Sequence, residues 1–435
     1  MIALALLLST LTGFLLVRSA WSGALRWEPA DWFRLPAGAL IGIGLSSIGS
    51  FLYSGHPAGP DLGLLVLAGV LFAVFGRGSQ PGSPVTEAPA WRPALWLAMA
   101  SVAVMAVAYW IMIGPNPHGD FDAWTIWNLR ARFLFRGASL KTLADPVLAW
   151  ARPEFPYLLT SSVVRVWRWA GSDTPTGPVW IAAWFAASLP MAVYGAVRVV
   201  RTHSQALIAL AAVVGSAGFI GNAAVQLSDF PLAAYLFCAL AAIVGAERLG
   251  QPSLVLIAGL CSGLAAWTKF EGLYYCGALV LVALWRCRVP GVVRFLAGAL
   301  PGIGATVYFL LNVAPPSKAP PAYPLSLLVA ILAKVFTFSF LGWVVTPFVV
   351  LAFYFFCVRR RKNTDALAIW IPAGLLFLSG CAAIITRDDN NGDSAAIRVI
   401  MHVWPCLLFA LFQFANTPED LMVENVPARK AKQKK

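Results

Sequence analysis

Asp120 and Asp122, in HGDFDAWTIWNLRARFLFR (118–136), stand just after a long apolar run. An ionised carboxylate at the edge of hydrocarbon is costly unless it meets water, a metal or a cation, so acids placed there are candidates for chemistry. Two Asp two residues apart share a side of an extended chain and diverge by about 200° on a helix. Such a carboxylate suits general-base work on a hydroxyl or amine, with Lys, Arg or a metal nearby to balance a leaving phosphate. A structural role competes: Asp122 could cap a helix beginning near Ala123. Asp229, ahead of Phe230 and Pro231, faces the same choice.

Other charged residues interrupt apolar sequence. In WTKFEG, Lys269 and Glu271 join two apolar runs with almost no loop. An ion pair holding that turn competes with a grip of Lys269 on an anionic donor, with Glu271 as its structural partner. Arg398 and His402 are four apart at the start of the last apolar run and share a helix face. Either Arg398 faces the compartment of the acids or it reaches to headgroups, and His402 is alternatively a hydrogen-bonded interior histidine. Arg130 lies in the stretch after Asp122, where a basic residue would serve an anionic substrate. Asp388, Asp389 and Asp393 in TRDDNNGDSAAIR lack the terminal Glu and flanking helices of a calcium loop, and a hydrated turn is the preferred reading. Neither a nucleotide-binding Gly-rich loop nor zinc-ligand spacing occurs, which disfavours an ATP-driven pump or a nucleotide-sugar enzyme.

The elements that must position these residues are apolar helices. Mean hydropathy is +0.74, and 12% charged residues fall well below the ~25% of soluble domains. An all-α, polytopic transmembrane bundle follows. Runs of about 20 apolar residues fall near 2–17, 36–54, 62–76, 93–114, 178–197, 204–221, 230–246, 253–268, 271–286, 295–313, 340–357, 366–385 and 397–414, roughly thirteen spans. The first run lacks a positive leader, so it is read as a retained span and not a signal peptide. The 7 cysteines lie in or beside apolar runs without close pairing and are read as small core residues. The Gly, Pro and Ser of 77–92 separate N-terminal accessory helices (1–76) from a main module (93–415), and 416–435 is a basic tail.

The formal net charge of +13 comes from short clusters between spans, which set topology and touch anionic lipid instead of nucleic acid. Placing Arg18, Arg26 and Arg34, Arg198 and Arg201, Arg286 to Arg294, Arg359 to Lys362 and the tail inside gives one alternating path. That path requires 325–338, which contains Lys334, to be an interfacial or re-entrant helix. It puts Asp120, Asp229, Lys269 and Asp389 together on the outer face. The 118–176 interval also carries seven basic residues, which short-loop charge rules would place inside; long translocated loops obey those rules weakly. Within it, 124–136 and 157–170 read as amphipathic helices lying parallel to the membrane as a cap.

The order of GDFDAWTIWNLRARF, PEFPYLLTSSVVRVW, QLSDFPLAAYLF, GLAAWTKFEGLYY and RVIMHVWP over residues 93–415 resembles the GT-C class of integral membrane glycosyltransferases, near the protein mannosyltransferase and aminoarabinose transferase relatives. The resemblance implies transfer of a sugar from a polyprenyl-phosphate-linked donor to a lipid, glycan or protein acceptor at the outer, periplasmic face of an inner membrane. It implies Asp120 or Asp122 as the catalytic acid that activates the acceptor or binds a divalent metal such as Mg or Mn. The residues read as facing the substrates are Lys269, Glu271, Asp229, Arg398, His402 and Arg130, and of these Arg398 matches the late cationic residue of that class. Phe121 separates the two Asp where relatives carry a tighter acidic pair, so the metal does not carry over directly. The rival reading is a secondary transporter or lipid flippase, which would show paired halves with broken helices; no such symmetry is evident.

Overall fold

The computed structural model describes residues 1–23, 27–76, 90–315, 365–385 and 392–420. Most of the 77–92 linker, the expected interfacial helix at 325–338 with Lys334, the span at 340–357, Arg359 to Lys362, Asp388, Asp389 and the end of the tail lie outside those residues.

Apolar runs form helices because a helix satisfies its own backbone where water is absent. In order they are α1 (Ile2–Ala20), α2 (Asp31–Leu52), α3 (Ala58–Phe75), α4 (Arg92–Ile113), a π-helical turn (Ala123–Asn128) running into α5 (Leu129–Phe135), α6 (Leu140–Leu143), a 3-10 turn (Pro146–Ala151), α7 (Leu158–Ala170), α8 (Thr176–Val200), α9 (His203–Val214), α10 (Ala217–Ala224), α11 (Asp229–Arg248), α12 (Leu254–Thr268), α13 (Glu271–Asn312), α14 (Ala366–Ile385) and α15 (Gly392–Phe414). No strand occurs among the described residues.

Eight of these helices, α1 to α4, α8, α11, α13 and α14, are long and apolar enough to cross a bilayer. The twelve expected spans that fall on described residues map onto these helices with two differences. The run 204–221 is not one helix: α9 stops at Val214, Ser216 turns extended (ψ 109°), and α10 begins after it. Ser216 satisfies the break by donating to the Ala212 carbonyl and accepting from the Trp404 indole. The runs 271–286 and 295–313 are arms of α13, broken at Arg288, whose backbone takes φ 59° and ψ −168°.

The core gathers around α11, whose apolar stretch is wholly buried. It packs on α8, α12, α13 and α15. Both arms of α13 lie on α12, where small residues allow close approach: a Cβ on Gly259 would come within 1.9 Å of the Phe295 carbonyl oxygen. By contrast α3 and α4 are peripheral and leave Val66, Val74, Trp96 and Trp110 uncovered, apolar surface suited to lipid.

The N-terminal helices share this core. Tyr235 Oη donates to the Leu40 carbonyl at 2.8 Å, and Trp267 Nε1 to Ser47 Oγ at 2.9 Å. The expected helix at 157–170 is present as α7, but its polar side is not wet: Leu158 to Trp167 are all buried. Arg165 reaches Asp61 of α3 at 2.8 Å and the Ala5 carbonyl at 2.7 Å. Two packed surfaces, one apolar and one closed by ion pairing, produce the same periodicity as a surface helix. The six described cysteines are free, and all but Cys287 are buried.

Candidate functional site

Four chain segments bring the charged residues together. Asp229 is the first residue of α11, preceded by Ser228, and neither residue caps the helix through its side chain. The Asp229 carboxylate instead accepts from Lys269 Nζ at 3.0 Å, and its Oδ1 lies 2.7 Å from His402 Nε2. Lys269 occupies the extended link between α12 and α13. Lys269 is buried, with Glu271 Oε1 at 3.5 Å as a second carboxylate. One turn beyond Glu271, Tyr275 Oη lies 3.1 Å from His402 Nδ1.

One helical turn before His402 on α15, Arg398 donates to Asp122 Oδ2 at 2.9 Å. Arg398 also feels the charges of Asp229 and Glu271. The arrangement is graded. Asp229, Lys269, His402 and Tyr275 are at most 3% exposed, whereas the Asp122 and Arg398 side chains are 30% and 36% exposed.

Asp120 and Asp122 differ in their local bonding, and the cap that spacing offers to Asp122 does not form. Asp122 has helical backbone and makes no capping bond. Asp120 does the local work: its Oδ1 accepts from the Phe121 N–H at 2.7 Å, and its carbonyl accepts from Ala123 and Trp124. It remains exposed at the mouth of the cluster's loop. The π-turned register that follows aims Asp122 at Arg398; π turns of this kind recur at functional sites.

Arg130 is enclosed away from these groups, where the substrate-facing reading had placed it beside them. It donates to the carbonyls of Ile126, Phe155 and Arg152, and its guanidinium lies 4.6 Å from the Tyr157 ring and 5.0 Å from the Trp127 ring. Burial pulls its pKa down, opposed by Tyr157 and Glu154, and an Arg so placed stays charged. Its task is to hold the loop's own core.

Three of the site's four acids already meet a cation or an N–H donor: Asp229 is held by Lys269 and His402, Glu271 by Lys269 and Asp122 by Arg398, while Asp120 is exposed. Among the described residues no group of three or more His, Cys, Asp or Glu is arranged to hold a metal ion.

Three residues unmarked by the sequence reading join the site. Tyr275 could have been found four residues after Glu271 on the same helix face. Asn128 and Gln226 carried no signal beyond being polar; they tie the loop of Asp120 to the loop before Asp229. Beside them lies a small, mostly apolar cavity of about 20 Å³ lined by Trp127, Leu159, Ile181, Phe185 and Phe230. No family model, curated protein or solved structure matches the chain.

Proposed function

We propose that this chain is a membrane glycosyltransferase that moves a sugar from a polyprenyl-phosphate-linked donor to a lipid, glycan or protein acceptor at the outer face of an inner membrane. The observation that carries the reading is the meeting of Asp122 and Arg398, 276 residues apart, at an accessible edge two residues along the chain from the exposed Asp120. Glycosyl transfer needs a base for the acceptor and positive charge for the departing phosphate. Asp120 is the carboxylate open to an acceptor. Arg398 is the half-open cation, and its planar fork can trade Asp122 for a phosphate oxygen. Behind them, Asp229, Lys269, Glu271, His402 and Tyr275 form a closed hydrogen-bonded frame that fixes α15 and hence Arg398. Lys269 therefore supports the site from within and does not grip the donor.

The buried run Tyr275, His402, Asp229, Lys269 favours a second reading, proton-linked transport, because chains of ionisable residues inside bundles carry protons in pumps and transporters. Purified protein offered radiolabelled polyprenyl-phosphate sugars, with and without divalent metal, tests the first reading. Transfer of label without a metal requirement is expected. Absence of transfer with every donor, together with proton-dependent uptake in proteoliposomes, would replace it with the second.

A further inference from the structure

We propose that Asn128 and Gln226 are positioning residues, a latch that fixes the Asp120–Asp122 turn against the loop leading to Asp229. Asn128 Nδ2 donates to the His118 carbonyl and to Gln226 Oε1, each at 3.0 Å. Gln226 Nε2 donates to the Pro117 carbonyl at 3.1 Å, and the Asp120 N–H to the Val225 carbonyl at 3.1 Å. Three bonds thus stitch residues 117–120 and 128 to 225–226, a fourth ties Asn128 to His118, and both amide side chains are buried.

Two backbone features show that this contact is enforced. Gln226 holds φ at +63°, a left-handed conformation that costs a residue with a Cβ and persists where the surroundings over-determine it. Across from it Gly119 has φ +79°, and a Cβ there would lie 2.7 Å from the Val225 carbonyl oxygen. Helix packing alone does not require a non-glycine residue in that conformation. It turns the Gln226 amide back onto the Pro117 carbonyl and Asn128.

The latch joins two acidic loops. Asn128 ends the π turn that aims Asp122 at Arg398, and Gln226 lies three residues before Asp229. Its work is to set the distance between the exposed carboxylates and the buried frame. For activity this rests on the glycosyl-transfer reading; for geometry it does not.

The test uses full-length protein in lipid nanodiscs with Asn128→Asp, Gln226→Ala and Gln226→Gly. Asn128→Asp is isosteric and removes both donated bonds. Amide exchange over 116–124 should quicken about 10-fold in all three variants, with exchange in α11 unchanged. Gln226→Gly should melt above Gln226→Ala, because glycine takes the left-handed backbone without strain while both lose the amide. Unchanged loop exchange, equal quickening across α11 with collapse of melting, or a lower melting point for the glycine variant than for the alanine variant would overturn the latch. Where the wild type transfers sugar, the variants should lower kcat while donor KM holds; normal kcat with a loosened loop would overturn the positioning role. A wild type that transfers nothing removes the glycosyl reading alone and leaves the exchange result to decide the latch.

Discussion

Lys269 donates to two carboxylates at once, and the cation open to solvent is Arg398. Removing one partner of a buried pair strands the other charge, typically at about 3–5 kcal/mol. Lys269→Met should therefore lower the melting temperature sharply, and adding Asp229→Asn should recover part of the loss. A single variant that melts like the wild type would show that Lys269 does not hold the frame. The sequence made these residues visible because charge inside apolar runs is rare. It could not pair them, since Asp122 and Arg398 or Asp229 and His402 are brought together only by tertiary packing. Spacing offered Asp122 as a cap, and the π turn that follows it without such a bond has no signature in AWTIWN.

At the scale of helices, hydropathy located apolar runs and missed where they break. Gly215 and Ser216 are apolar enough to pass within a span, whereas the bend at Arg288 was announced by its basic neighbours. The close seam between α12 and α13 gives a direct check: a Cβ on Gly263 would lie 2.4 Å from the Ala299 carbonyl oxygen. Gly263→Val should force the helices apart and cost about 1–3 kcal/mol, read as a lower melting temperature; wild-type melting would contradict the packing. The α5 region offers a pH test. Desolvation opposes ionisation of Asp173, yet the hydrogen bond and charge of Arg136, with Arg132, hold its carboxyl below the usual range. A depressed folded-state pKa stabilises above the unfolded value near ~3.9 and the benefit is lost as pH falls through the folded one. Protection of Leu129–Phe135, corrected for intrinsic exchange, should fall on acidification below that range in the wild type and show no such step in Asp173→Asn.

The described residues form an all-helical protein with eight helices suited to a membrane, in keeping with its composition. What composition could not show is that α1 to α3 interlock with the main bundle through Asp61, Leu40 and Ser47. From the charge distribution we propose that Asp120, Asp229 and Lys269 face outside and Arg201 inside. Single-cysteine labelling in intact cells should modify position 120 from outside and leave 201 protected until the membrane is opened. Label at 201 with protection at 120 would invert the orientation.

The central claim rests on Asp120 as the base, two residues before the partner of Arg398, and its most direct measurement is turnover of Asp120→Asn with a verified polyprenyl-phosphate sugar, alongside its melting temperature. Asparagine keeps the size and accepts the Phe121 N–H, so folding should hold. Loss of the carboxylate should reduce transfer about 100-fold or more. Wild-type turnover by a normally folded Asp120→Asn protein would contradict the account.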